Sequence, residues 1–116
     1  MIYLASPYTH EDPAVREARY QEILSKVAEL ALRGHVCFSP IAYGHAMNLV
    51  AELPHTWEFW EKWDREFLWA CDEVWVVTMP GWQESAGVIA EIKIGRDFKK
   101  PIRYLDPAST LPKDQP

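Results

Sequence analysis

The chain has 116 residues, of which 48% are hydrophobic and 25% are charged, and its formal net charge is −5. These values are typical of one globular domain with a single modest core. The negative charge argues against non-specific binding to nucleic acid polymers or anionic membranes, which need basic surfaces, but allows a small anionic ligand in a local site.

The two cysteines, Cys37 and Cys71, have neither a C-x-x-C arrangement nor metal-ligand spacing, and each lies in or beside an apolar segment. We therefore expect two buried free thiols. The first twelve residues lack the basic start of a signal peptide, and no apolar run reaches the length of a membrane span. We expect a cytoplasmic protein that does not contact membranes.

Short apolar segments alternate with helical patterns along the chain. The first helix, over 11–34, has Asp12 as a suitable N-cap, Pro13 at the first helical position and Gly34 as a terminator. The remaining patterns predict strands at 1–5, 35–40, 72–80 and 99–105, and a helix at 84–98.

This alternation predicts an α/β fold with a parallel sheet and right-handed crossovers. We expect a flavodoxin-like three-layer α/β/α domain over 1–106, with strand order 2-1-3-4. The tail at 107–116 has three prolines and no periodicity, which predicts a flexible segment. A sheet of this order binds ligands at the carboxyl ends of strands one and three, where the strand order reverses.

Small and polar residues follow the strands at this edge of the sheet. Ser6 and Tyr8 come after the first strand, and Ser39 comes after the second. Neighbouring prolines make these loops rigid. We predict that the three residues contact a substrate, although Tyr8 is also an ordinary residue for a loop.

The segment 56–70 is a helix with an unusual number of aromatic residues. It contains four tryptophans and two phenylalanines, which lie on more than one side of the helix. A helix that is apolar on several sides is usually buried on several sides. Because tryptophan is enriched at interfaces, we expect a homo-oligomer that uses this helix.

Asp64 lies within the aromatic stripe of this helix. Its neighbours three and four positions away are Trp60, Glu61, Phe67 and Leu68, and none is a cation. A carboxylate on an apolar face is costly unless another group satisfies it. A bond to Arg65 or to a backbone amide is the ordinary alternative.

Glu91 has the same problem on the helix at 84–98. Its helical neighbours include Gly87 one turn earlier, and again none is a cation. A glycine there leaves bare backbone, so a ligand can approach the carboxylate. Glu91 could instead point to solvent or pair with Lys93 or Arg96.

Two unpaired carboxylates near one crevice suit the cleavage of a glycosidic bond. One attacks the anomeric carbon or stabilises its positive charge, and the other manages the proton of the leaving group.

Histidines are a further group to consider. His10, His45 and His55 share no tight spacing, so we expect no metal site. His45 or His10 could act as a general acid or contact a substrate.

The segments "IYLASPYT" and "CDEVWVV…ESAGVIAEIKIG" resemble the nucleoside 2-deoxyribosyltransferase superfamily, which also contains the 2′-deoxynucleoside 5′-monophosphate N-glycosidases. The resemblance covers about residues 1–106. It is strongest to a bacterial branch of small proteins that begin with a Tyr-Leu-Ala-Ser-Pro-Tyr-type motif. It implies a flavodoxin-like fold, an oligomer, and a reaction that needs no metal or other cofactor.

The resemblance also implies roles for individual residues. Glu91 corresponds to the nucleophile that forms an ester with the sugar C1′, and Tyr3 to a tyrosine that orients it. Asp64 corresponds to an aspartate that contacts the base and helps protonate it. The remaining positions are expected to bind the sugar: Ser85 and Gly87 at its 5′ end or phosphate, and Glu84 at its hydroxyls.

The sequence also departs from the resembled enzymes. The N-glycosidases have a Gly- and Arg-rich loop after strand one, whereas "SPYTHEDP" has no arginine, and Arg16 and Arg19 follow only on the helix. The expected activity is cleavage or transfer of the N-glycosidic bond of a (deoxy)nucleoside or its 5′-monophosphate. A non-catalytic nucleotide-binding module and an oligomeric interaction protein are the alternatives.

Overall fold

The computed structural model describes all 116 residues and has a four-stranded sheet, entirely parallel, in the order β2-β1-β3-β4. This confirms the predicted flavodoxin-like α/β fold and its strand order. The elements are β1 (Ile2–Ala5), α1 (Pro13–Leu32), β2 (Cys37–Phe38), α2 (Pro40–Asn48), α3 (Trp57–Ala70), β3 (Glu73–Val77), a short 3-10 helix (Trp82–Glu84), α4 (Ala86–Asp97) and β4 (Ile102–Leu105).

Side-chain alternation along the strands divides the core into two halves. Leu4 of β1 faces one side of the sheet and packs with Ile23 and Leu30 of α1. Tyr3, the preceding residue, faces the other side, where Leu68 of α3 and Val88 of α4 pack. Since successive strand residues point to opposite faces, the sheet is covered on both sides, which gives the three layers.

Local sequence signals determine where the helices begin. The Asp12 side chain accepts a bond from Ala14 N at 2.9 Å, and Pro13 opens α1. Gly34 follows the helix with φ 89°, a conformation that favours glycine. Ser39 caps α2 and Ser85 caps α4, each accepting a backbone N–H three residues later.

The two loops at the carboxyl edge of the sheet are joined by Arg19. Its Nη1 donates to the carbonyls of Tyr8 at 3.3 Å and Thr9 at 3.0 Å, and its Nη2 donates to that of Pro80 at 3.4 Å. The neighbouring Gly81 has φ 91°, and a Cβ there would lie 2.7 Å from Nη2. The loop after β1 is therefore held against the loop after β3.

No helix of the fold combines the length and the apolar character that crossing a membrane requires.

The C-terminal segment folds back on the domain. Tyr104 of β4 and Lys113 exchange backbone bonds of 2.7 and 2.8 Å. The Nζ of Lys26, a buried residue of α1, donates to the carbonyl of Ser109 at 2.8 Å. These contacts hold the segment 107–116 against the domain, whereas the sequence predicts a flexible segment. The difference arises because a few long-range bonds can order a chain that has no local periodicity.

Removing the segment 107–116 should therefore lower the stability of the domain. A chain that ends at residue 106 loses the Tyr104–Lys113 bridge and the carbonyl that satisfies Lys26. We expect the free energy of unfolding in urea to fall by about 1–3 kcal/mol. The matched control ends at residue 113 and loses only the exposed Arg103–Asp114 pair, so it should stay within about 0.5 kcal/mol of the full chain. Equal stability of both truncated chains would contradict an anchoring role.

Candidate active site

Tyr3 lies at the centre of the candidate site. It is fully buried on β1, and its ring contacts Phe38 at a centroid distance of 5.8 Å. Its hydroxyl is buried and has no hydrogen-bond partner of ordinary geometry. Buried polar groups are usually satisfied, so this hydroxyl is an exception in the middle of the sheet and is free to form a hydrogen bond.

Asp64 projects from α3 toward this tyrosine. Only 8% of the residue is exposed, and no cation pairs with it. Arg65, the alternative local partner, instead donates from Nε to Glu61 at 3.0 Å. Burial raises the pKa of Asp64 from 3.8 to about 6, and the neighbouring Tyr3 hydroxyl opposes the rise.

Glu91 approaches from α4 on the same side of the sheet. It is 4% exposed, and its Oε2 is buried without a partner. Lys93 and Arg96, the alternative partners, are exposed and form no ion pair. Burial raises the pKa of Glu91 well above 4.5, the negative charge of Asp64 raises it further, and Tyr3 opposes the rise.

The three groups are close enough to change one another's proton affinity. The pKa of Tyr3 is raised well above 10 by burial, then by the charges of Glu91 and Asp64. No hydrogen bond of ordinary length and angle links the three side chains, so they are neighbours with unused bonding capacity. Two acids that repel each other in a buried site favour holding at least one proton between them.

One face of α4 is built around Glu91. Gly87 precedes it by one turn and Gly95 follows it by one turn. A Cβ at Gly95 would lie 3.1 Å from Val74 Cγ2 and 3.0 Å from Ile102 Cδ1, so this glycine allows the helix to lie close to the sheet. A Cβ at Gly87 would lie 3.9 Å from Glu91 Oε1, so the carboxylate lies next to helix backbone that carries no side chain at this position.

The other predicted sugar contacts differ in position. Ser85 caps α4. Its Oγ and Glu91 Oε1 both lie near Gly87, at 3.8 and 3.9 Å from the position that a Cβ would take there. Glu84 is exposed at the end of the 3-10 helix, and its side chain makes no hydrogen bond or ion pair. Ser6 is buried directly after β1, and its Oγ has no partner.

Tyr8 and His45 form a separate group. The Tyr8 hydroxyl lies 2.8 Å from His45 Nδ1, and Nε2 of the same ring lies 3.1 Å from Glu17 Oε2. Tyr20 stacks on the imidazole at 3.8 Å. No hydrogen bond connects this group with Tyr3, Asp64 or Glu91. Glu17 and Tyr20 were not predicted from the sequence, although their spacing of three residues on α1 places them on one helix face.

Two open grooves lie on the surface. One, along the outer face of α3, is lined only by charged side chains, and neither Asp64 nor Glu91 is among them. The second has a volume of about 630 Å³ and is lined in part by Tyr8, Glu17 and His45. No group of three or more His, Cys, Asp or Glu side chains is placed to hold a metal ion.

The arginines that follow the first loop are engaged by backbone carbonyls. Arg19 binds three of them, as described above, and Arg16 donates from Nη1 to the carbonyl of His10. The two arginines of α1 thus order the loop after β1, which contains no arginine of its own. It gives no dedicated arginine cluster for a phosphate.

A family model described as "Domain of unknown function (DUF1937)" matches residues 1–106, which is the whole sheet and all four helices. The chain belongs to this family. Its description names no activity, and no curated protein matches the chain. In this chain, Tyr3, Asp64 and Glu91 are the buried polar residues that the fold brings together.

The raised pKa of Asp64 predicts how its removal affects stability. The pKa of Asp64 is higher in the folded chain than in the unfolded chain, so the carboxyl group stabilises the fold only while it is protonated. This contribution to the free energy of unfolding is lost as pH rises from about 4 through about 6. Asp64→Asn should therefore raise the free energy of unfolding by about 1–3 kcal/mol at about pH 8 and have little effect at about pH 4. Urea titrations at both pH values measure this.

A suitable control is Asp97→Asn, because Asp97 is exposed on α4. It should change the free energy of unfolding by no more than about 0.5 kcal/mol at either pH. If Asp64→Asn destabilised the domain equally at both pH values, the carboxylate would have a favourable partner in the fold.

Proposed function

We propose that this chain cleaves or transfers the N-glycosidic bond of a (deoxy)nucleoside or its 5′-monophosphate, with Glu91 as the nucleophile. The observation that carries the proposal is the convergence of two buried carboxyl groups, Glu91 and Asp64, on the unpaired hydroxyl of Tyr3. Neither acid has a cation partner, so a structural ion pair does not explain either of them.

The proposed reaction uses one shared proton. Glu91 must be ionised to attack C1′, while Asp64 must be protonated to assist the leaving base. Burial raises the pKa of Glu91 well above its ordinary value and that of Asp64 only to about 6, so the shared proton lies on Glu91 at rest and must pass to Asp64 as the substrate binds. The neighbouring Tyr3 hydroxyl can stabilise whichever acid is ionised.

The bonds then change in two steps. An oxygen of Glu91 bonds to C1′ as the bond from C1′ to the base nitrogen breaks, and the base takes the proton of Asp64. Water or a second base next attacks C1′, the ester bond to Glu91 breaks, and Asp64 can take up the proton of the attacking group. In such retaining chemistry one carboxylate is usually the nucleophile, and the other acts first as the acid and then as the base.

The amino end of α4 suits the 5′ side of the sugar. Ser85 and Gly87 lie beside Glu91, and the first backbone amides of a helix attract negative charge. A 5′-hydroxyl and a 5′-phosphate are both compatible with this position. We propose Glu84 as a contact of the sugar hydroxyls on the resemblance alone, and neither a metal nor another cofactor takes part.

A non-catalytic binding module is the second candidate. It is favoured by the full burial of the Tyr3 hydroxyl and of Glu91 Oε2, which a protonated structural acid would also show. The aromatic cluster of Phe38, Phe67 and Trp63 packs beside Tyr3 and would be the main part of such a module.

Base release tests the first candidate. The parent chain is incubated with ribo- and deoxyribonucleosides and their 5′-monophosphates, with and without a free second base, and free base is measured by chromatography. We expect release from at least one substrate, and a loss of at least about 10³-fold in Glu91→Gln, which removes the nucleophile but keeps the side-chain shape.

The control variant is Glu66→Gln, which changes an exposed carboxyl of α3 and should keep the parental rate. Acid-quenched mass spectrometry should find the sugar attached to Glu91. A parental rate in Glu91→Gln would remove this residue as the nucleophile. Nucleotide binding by calorimetry without any release would favour the binding module.

We also propose that the chain forms a homo-oligomer in the cytoplasm. Its two cysteines are free, as is usual in a reducing compartment. The inner stripe of α3 packs within the chain, and its outer face is charged. The exposed aromatic residues lie at the two ends of α3, with Trp57 and Phe59 at the start and Trp69, which is 64% exposed, at the finish.

Light scattering after gel filtration measures the oligomeric state. A mass that is a multiple of 13.5 kDa is expected, and Trp69→Ser should shift it toward the single chain. The matched control is Leu32→Ser, which changes an apolar residue of α1 that is 90% exposed. A parent chain that elutes as a monomer at every concentration would contradict the oligomer.

A further inference from the structure

Trp63 of α3 carries a buried hydrogen-bond donor that the fold leaves unused. An indole N–H can only donate, and the Nε1 of Trp63 is buried without an acceptor. Trp60 of the same helix, by contrast, donates its Nε1–H to the carbonyl of Pro54 at 2.9 Å. A buried donor without an acceptor is rare and costly, and an acceptor supplied by a ligand would remove that cost.

The aromatic side chains around Trp63 form a continuous wall from the surface to Tyr3. Trp63 contacts Phe67 at a centroid distance of 5.5 Å, and Phe67 stacks on Phe38 at 3.8 Å. Phe38 in turn contacts Tyr3 at 5.8 Å. Tyr43 of α2, which is 48% exposed, contacts Trp63 at 5.6 Å and Phe38 at 6.3 Å. An aromatic wall that is open to solvent at one end suits the flat ring of a nucleobase better than a sugar.

Trp63 is the neighbour of Asp64 along the chain. Consecutive residues of an α-helix point about 100° apart, so Asp64 faces Tyr3 while Trp63 faces α2. Gly44 allows α2 to lie close to α3, since a Cβ there would be 3.4 Å from Trp60 Cη2. The carboxyl group and the indole N–H can therefore serve two neighbouring atoms of one ring that lies against this end of α3.

The kinds of atom that these two groups recognise identify the base. In the proposed reaction Asp64 gives its proton to a ring nitrogen of the leaving base, so both Asp64 and Trp63 act as donors. A 6-oxopurine presents N7 and O6 as neighbouring acceptors, whereas a 6-aminopurine presents N7 beside an amino donor. Two donors match the first edge, while the amino group of the second would face the indole N–H.

We propose that Trp63 determines the base specificity of the site, with its Nε1–H donating to O6 of a 6-oxopurine while Asp64 protonates N7. The inference rests on the proposed function and names its substrate class, the 6-oxopurine (deoxy)nucleosides or their 5′-monophosphates. An oxygen of Glu91 bonds to C1′, the electron pair of the breaking C1′–N9 bond passes to the base, and the proton of Asp64 moves to N7. Trp63 contacts the base and stays neutral throughout.

The ratio of kcat/KM for hypoxanthine and adenine substrates with the same sugar tests this inference. We expect the parent chain to favour the hypoxanthine substrate by roughly 10- to 100-fold. Trp63→Phe keeps an aromatic ring but removes the N–H, and it should bring the two values within about 3-fold of each other. Because both substrates are measured on one preparation, a loss of folded protein does not change the ratio.

Trp69→Phe is the matched control, since it makes the same change on α3 at a residue that is 64% exposed. It should keep the parental ratio. Release of base that depends on Glu91 but shows no preference for hypoxanthine overturns this inference and leaves the proposed function in place. A parental ratio in Trp63→Phe does the same.

Calorimetry with free hypoxanthine and free adenine gives a readout without turnover. We expect the parent chain to bind hypoxanthine at least about 10-fold more tightly than adenine, and Trp63→Phe to lose this preference. If no substrate releases base but the binding preference is present and depends on Trp63, the proposed function alone is overturned. A parent chain that neither releases base nor binds hypoxanthine preferentially overturns both.

Discussion

The burial of two carboxyl groups beside one phenol is the constraint on which the structure depends. Asp64 and Glu91 contribute negative charge to a core that otherwise consists of apolar strands and aromatic side chains. The surrounding packing must offset this cost, because desolvation disfavours the charged form of each acid. The parallel sheet and its two covering layers bury enough apolar surface to do so.

The position of each acid follows from how its helix meets the sheet. Gly95 lets α4 lie against Val74 and Ile102, and Glu91 is one turn earlier on the same face. Leu68 anchors α3 in the same half of the core, with Asp64 one turn before it. One turn of α4 and one turn of α3 therefore fix the positions of the two carboxyl groups relative to Tyr3. All three residues lie in helices or strands and not in loops.

Features governed by local pattern could be predicted from the sequence. The caps at Asp12 and Ser85, the apolar strands and the strand order depend on neighbours in the chain or on general rules for parallel sheets. Asp64 and Glu91 could be found because no cation lies three or four residues away. Tyr3 was different: a tyrosine in a strand is usually an ordinary core residue, and only the family resemblance predicted that it lies beside Glu91.

Features governed by contacts distant in sequence could not be predicted. His45 is 28 residues from Glu17 and 37 from Tyr8, so no local spacing relates them, although each was visible as a polar residue. The attachment of the tail depends on Lys26 and Ser109, which are 83 residues apart. The composition of the tail predicts only how an isolated segment behaves. Its position in the folded chain depends on contacts such as the bond from the buried Lys26 to Ser109.

A purely structural account of the acids is incomplete because neutral amides would fill the same volume. Glutamine and asparagine have nearly the shape of Glu91 and Asp64 and carry no cost that grows as pH rises. The carboxyl groups add only the ability to exchange a proton and to become negative when a positive centre approaches. An oxocarbenium-like sugar carbon is such a centre, and the pair can meet it with one acid ionised and the other protonated.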